Sequence, residues 1–132
     1  MILQLSGSGD LQAAGITAET VKVSLSGSGE VQLGRIDARD MEVALRGSGD
    51  ISVSDEGQLE TLEVNIIGSG DVRMSSLHAR SAEVNIVGSG DARVGVVEDL
   101  DVNILGSGDV RFAGEPRISQ SILGSGDLRA TR

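Results

Sequence analysis

The residues with the clearest chemical potential are carboxylates at near-constant spacing: Asp10, Glu30, Asp50, Asp71, Asp91, Asp109 and Asp127. Each follows a Gly-Ser-Gly triplet, and the triplets begin at Gly7, Gly27, Gly47, Gly68, Gly88, Gly106 and Gly124. Glycine-rich turns expose backbone amides that can cradle an anion, and a row of carboxylates can hold a hard cation such as calcium. Calcium-binding β-rolls, however, repeat about every nine residues, with two facing turns per coil. Here one acidic turn recurs every 18 to 21 residues and has no facing partner. The expectation is that glycine makes a corner while acid and serine satisfy turn amides.

Like charges stacked in register repel, so the residues two positions further on decide where a cation could sit. Arg73, Arg93, Arg111 and Arg129 follow the last four acids and can neutralise them, whereas Gln12, Gln32 and Ser52 follow the first three. Asp10, Glu30 and Asp50 are therefore the weak metal candidates, and calcium is the cation they would take. Charge is distributed the same way: residues 1–66 hold eleven acids and four bases, a net of −7, and residues 67–132 hold nine and seven, a net of −2.

Other chemistry lacks its parts. The chain has no cysteine and one histidine, His78, which rules out thiolate catalysis and leaves a histidine-based metal or triad site without its second member. Phe112 is the only aromatic residue, so there is no stacking platform for sugars or bases. A net charge of −9 opposes contact with nucleic acid and with anionic membrane surfaces. No catalytic residue and no cofactor is assigned, and the expectation is a protein that is not an enzyme. No run of about 18 apolar residues marks a transmembrane helix, and the opening MILQLSGSGD has no basic leader or cleavage segment.

The elements that position these residues follow from the repeat. Intervals between triplets are 20, 20, 21, 20, 18 and 18 residues. Ahead of the triplets apolar residues alternate with period two, as in Met41, Val43, Leu45 and in Ala82, Val84, Ile86, which is the signature of a strand with one buried face. A second short alternation follows each triplet, as in Val31 and Leu33, and a third carries pairs such as Ile36 and Ala38. Helical spacing is missing, and a propeller blade would need about 40 residues. In a solenoid each position stacks on its counterpart one coil away, which accounts for identical residues at identical places. The chain is thus expected to be all-β: one single-stranded, right-handed parallel β-helix domain over residues 1–132, of about seven coils. Two aliphatic columns should line its interior, Leu5, Leu25, Leu45, Ile66, Ile86, Ile104, Ile122 and Leu3, Val23, Val43, Val64, Val84, Val102, with Gln120 breaking the second.

Two outward columns stand out. Asn65, Asn85 and Asn103 should form a hydrogen-bonded amide ladder. Ile67, Val87, Leu105 and Leu123 occupy the position before the corner, where the first three coils carry Ser6, Ser26 and Arg46. Four aliphatics in line form an exposed stripe, a candidate interface.

The segments VNIIGSGDVRM, VNIVGSGDARV and VNILGSGDVRF, together with the late GSGDVRFAGEP, resemble the putative auto-transporter adhesin family, head GIN domain, over nearly the whole chain. The resemblance implies a bacterial cell-envelope or secreted β-helix. It also implies a leader region before the repeats, and because the sequence starts directly in a repeat that region is expected to be missing from it. The leading expectation is a non-catalytic structural or adhesin-like module that touches a protein or cell-surface partner, or self-associates through strand edges or the aliphatic stripe. Neither Met1 to Leu5 nor Leu128 to Arg132 reads as a cap, so packing at the ends, or a longer natural chain, is expected. The rival is a module binding a cation or small ligand at the acidic turns of the N-terminal coils.

Overall fold

A computed structural model describes residues 2–54, 56–114 and 117–130. Met1, Thr131 and Arg132, within the expected uncapped ends, and Glu115 and Pro116, within the late family-like segment, lie outside the described residues. The described elements are all strands: β1 (Ile2–Gly7), β2 (Asp10–Thr17), β3 (Thr20–Gly27), β4 (Glu30–Asp37), β5 (Asp40–Gly47), β6 (Asp50–Val53), β7 (Gly57–Gly68), β8 (Asp71–Gly88), β9 (Asp91–Gly106), β10 (Asp109–Ala113), β11 (Arg117–Gly124) and β12 (Asp127–Ala130). Every pairing is parallel, so the fold is the expected β-solenoid. The triplets mark seven corners separated by six full turns.

Three ladders surround the core. The first stacks β1, β3, β5, β11 and the C-terminal parts of β7, β8 and β9. The second stacks β2, β4, β6, β10, β12 and the starts of β8 and β9. The third runs through the ends of β2 and β4, the start of β7 and the middle of β8. Alternate residues point inward, and their column neighbours are the expected ones: Leu25, Leu45, Ile66, Ile86 and Ile104 in one stack, Val23, Val43, Val64, Val84 and Val102 in the next. All ten are buried, and among the described residues no polar or charged side chain is buried with them. Leu3, Leu5 and Ile122 pack half-buried against that core, and Gln120, in register with Val102, faces solvent.

The corner explains the repeat. Gly88 has φ +121, and a Cβ there would meet the carbonyl oxygen of Gly68 at 2.4 Å. A side chain is excluded twice, by the dihedral and by the coil beneath it. The serine contributes its backbone N–H: that of Ser89 donates to the Gly68 carbonyl at 3.0 Å and that of Ser107 to Gly88 at 3.0 Å. The serine amide is thus satisfied by a main-chain carbonyl of the coil before it, rather than any turn amide by the serine hydroxyl as expected.

The shorter late coils lose residues on one side only. Register between β8 and β9 is continuous through Met74 with Val94 and again from Ser81 with Asp99, with irregularities between them. The third side contracts, and the corner with its two flanking ladders stays in register. Outward columns on those ladders therefore run unbroken along the molecule.

Gly88→Ala should lower stability by about 3 kcal/mol or more, because strain and a backbone clash combine. Gly15→Ala, where a Cβ would have Arg35 O at 3.8 Å as its nearest neighbour and φ is ordinary, should change stability by less than about 1 kcal/mol. Urea unfolding of the two variants checks the contrast.

Candidate interaction surface

The acidic turn residues stack one per coil, Asp10 on Glu30, Glu30 on Asp50, and so on to Asp127. The structure brings Asp10, Glu30 and Asp50 into a line along the surface, all three exposed, and does not converge them on a point. Calcium takes six to eight oxygens at about 2.3–2.6 Å, and among the described residues no group of three or more potential ligands comes together. Glu30 instead accepts a hydrogen bond from Gln32 Nε2 at 2.8 Å, and Gln12 Nε2 donates to Gln32 Oε1 at 3.3 Å.

Two of the later acids, Asp91 and Asp109, do the turn-amide work expected of the column. The carboxylate of Asp91 accepts from the backbone N–H of Asp109 at 3.2 Å, and that of Asp109 from the N–H of Asp127 at 3.3 Å. The arginine column is in register beside them, but among the described residues only Arg129 of the four forms an ion pair, with Asp127 at 3.3 Å. Neutralisation by arginine is therefore local to one coil.

Charge is organised more tightly on the third side, where sequence reading assigned nothing. Arg39 pairs with Glu60 across a coil at 3.2 Å and Arg80 with Glu98 at 2.9 Å. With Glu19, whose carbonyl accepts the N–H of Arg39, these residues alternate in sign from coil to coil. The hydrogen bond from Arg80 to Glu98, helped by the Glu98 charge, raises the pKa of that guanidinium. All four side chains are exposed, so solvent screens both pairs. The cue in the sequence was alternating sign at one position of successive repeats. His78, in register with Gln58, is exposed on the same side.

The first ladder carries the most differentiated face. Nearest the corner, Ile67, Val87, Leu105 and Leu123 stack in register with relative exposures of 48%, 46%, 53% and 66%. Beside them the amide ladder forms as expected: Asn85 donates to Asn65 and Asn103 to Asn85, each at 3.0 Å. Beyond the amides lies a column that sequence reading passed over, Glu42, Glu63, Glu83 and Asp101. Asp40 and Asp99 flank it in the outermost column, where Thr61 donates to the Asp40 carboxylate. Lys22 meets Glu42 at 3.9 Å at one end of the acid column.

Shallow depressions follow these columns. One of about 640 Å³ runs along the acids from Asp40 to Asp101. Two smaller ones, about 320 and 250 Å³, lie between the amide column and the aliphatic stripe, around Asn65 and Ile67 and around Asn103 and Leu105. Acid column, amide trough and aliphatic ridge thus lie side by side on one sheet. The amide column is visible in the sequence, but its neighbours across the strand acquire meaning only once the register is known.

The sequence model of the family described as putative auto-transporter adhesin, head GIN domain, matches residues 2–116. A putative lipid binding protein from Parabacteroides distasonis ATCC 8503 superposes with a TM-score of 0.96 at 32% identity, over 100% of this chain and 53% of its own. A putative adhesin from the same strain gives 0.86 at 23% identity, over 98% and 60%. A putative adhesin from Parabacteroides merdae ATCC 43184 gives 0.87 at 19% identity, over 98% and 57%. The chain therefore spans between half and two thirds of the length of these structures, and the last two likenesses concern the fold. No match is found among curated proteins.

Titration with calcium to about 5 mM should give no saturable heat and shift the melting temperature by less than about 1 °C, because a line of exposed carboxylates offers no cage. Calorimetry and thermal melting check this, and a saturating isotherm lost in Glu30→Gln would contradict it.

Proposed function

We propose that this chain, which belongs to the putative auto-transporter adhesin, head GIN domain family, is a non-catalytic adhesin-like module of the bacterial cell envelope that acts by surface contact through its first-ladder face. Membership of the family supports the envelope location and the adhesin character. The observation that carries the contact surface is the stripe Ile67, Val87, Leu105 and Leu123, exposed and contiguous over four coils. Scattered surface aliphatics are ordinary, whereas aligned ones form a patch that water disfavours and a partner can cover. Rigid backing suits such a role, because a sheet held from coil to coil loses little conformational freedom when it binds.

A lipid-binding reading, suggested by the name of the 32%-identical structure, would use the same stripe for acyl chains. The contact reading expects the protein to stay in the bottom fraction on flotation with phosphatidylcholine vesicles.

Beads coated with the domain should be retained in a flow chamber on bacterial or epithelial cell layers, or should clump with one another. The double variant Val87→Lys, Leu105→Glu should abolish that retention. These positions are register neighbours, so the introduced charges attract across the strands and the fold is kept. Wild-type beads that neither adhere nor clump, or variant beads that behave as wild type, would overturn the reading.

A further inference from the structure

We propose that the first-ladder face docks a cationic amphipathic helix of a partner polypeptide, laid along the solenoid axis above the amide column; this rests on the contact reading and names its partner. The face has two unlike borders. Glu42, Glu63, Glu83 and Asp101 form one, reinforced by Asp40 and Asp99, and Ile67, Val87, Leu105 and Leu123 form the other. The small residues between them, Ala44, Asn65, Asn85, Asn103 and Ser121, make the floor, and the depressions lie along that floor and the acid border.

The dimensions select the occupant. Acid and aliphatic columns are four residues apart along each strand, about 13 Å at strand rise. An extended segment running along the axis presents a single row of side chains to the face and reaches one border. A helix about 10–12 Å across, lying on the floor, reaches both, with apolar residues toward the stripe and lysine or arginine stems extended toward the carboxylates. The stretch from β5 to β11 covers four coil spacings, about 19 Å, which matches roughly 13 helical residues.

Charge excludes other occupants. A second copy laid face to face would set its acid column against either the acids or the aliphatic stripe of the first, repelling in one case and desolvating carboxylates against apolar surface in the other, in a chain of net charge −9. Nucleic acid and anionic membrane bring the wrong sign. The cations on this face stand at its borders: Lys22 at the head of the acid column, Arg46 at the head of the stripe, and Arg117 below Asp99. Between those positions the acids of β7, β8 and β9 in this column, Glu63, Glu83 and Asp101, form no ion pair among the described residues. Glu63 accepts a hydrogen bond from Asn65 at 3.4 Å, and the exposed charges are otherwise free to meet cationic side chains of a partner whose apolar residues cover the stripe across the amide column.

The probe is a fluorescein-labelled, amidated 18-residue peptide of leucine and lysine patterned as an amphipathic helix, titrated by anisotropy with the full 132-residue chain. Saturable one-to-one binding is expected, weakened at least tenfold by Glu63→Gln, Glu83→Gln, Asp101→Asn together and at least tenfold by Val87→Lys, Leu105→Glu. Neutralising the same number of charges on the second ladder, with Asp71→Asn, Asp91→Asn, Asp109→Asn, should change affinity by less than twofold, and circular dichroism should confirm that each variant keeps its strand content. A peptide of the same composition with its pattern scrambled should bind at least tenfold more weakly. No saturable binding, equal weakening by the two triple neutralisations, or equal binding of the scrambled peptide would overturn the proposal. In that event, bead adhesion that is lost in the stripe variant and kept in the Glu63, Glu83, Asp101 triple variant would leave the contact reading standing without the helix.

Discussion

At every corner after the first, the carbonyl of one coil sits 2.3–2.6 Å from where a Cβ on the first glycine of the next coil would be. Two backbones approach this closely only where neither carries a side chain, so the glycines of successive coils must lie directly above one another. That contact pins the register. Once corners align, each strand that leaves them aligns too, and a slip of one residue would turn the buried aliphatics outward. The N–H of each corner serine bonding the glycine carbonyl below it adds direction to the same constraint.

Fixed register has a consequence for every residue type, because each side chain meets its own kind about 4.8 Å away. For aliphatics this is favourable, and Val43 and Leu45 within their stacks are buried to 0% exposure. For amides it is also favourable, since Asn65, Asn85 and Asn103 bond in series. For carboxylates it is costly, and three solutions coexist in one molecule. The turn acids Asp91 and Asp109 accept backbone amide protons of the next coil. The third side alternates sign so that Arg39 meets Glu60 and Arg80 meets Glu98. In the column through Glu63, Glu83 and Asp101, Glu63 accepts a side-chain hydrogen bond from Asn65 Nδ2 at 3.4 Å, and the charges otherwise face water.

Much of this was legible in the residues themselves. Triplets at intervals of 18 to 21 announce a solenoid, and period-two aliphatics identify the buried columns, because both signals are local. The amide ladder and the aliphatic stripe were legible for the same reason. Pairing of Arg73, Arg93 and Arg111 with the acids two residues earlier was a sound expectation from chain distance. Alternate side chains of one strand can reach each other, as Arg129 and Asp127 do at 3.3 Å, but the carboxylates of Asp91 and Asp109 instead accept the backbone N–H of the next coil. The acid column was overlooked because Glu42, Glu63 and Glu83 read singly as ordinary outward residues of amphipathic strands. Their importance comes from what lies across the sheet, a relation between columns that no single repeat displays.

Positions that the fold demands can be separated from those it merely allows. Both corner glycines, the acid after them and the inward aliphatics persist through the seven repeats with few exceptions, Gln120 among them, as stacking requires. The outward position before the corner carries Ser6, Ser26 and Arg46 in three coils and Ile67, Val87, Leu105 and Leu123 in four. Since the same strand geometry accepts serine and arginine there, packing does not call for the aliphatics. Kept about half exposed, they forgo most of the burial free energy that stabilises their inward neighbours. Across the amide ladder from them, an acid column adds like-charge repulsion that the fold also does not require. Two columns of one face, separated by the amide ladder, thus carry costs that this architecture could avoid, and the proposed partner would offset both by bringing apolar surface and positive charge to that face together.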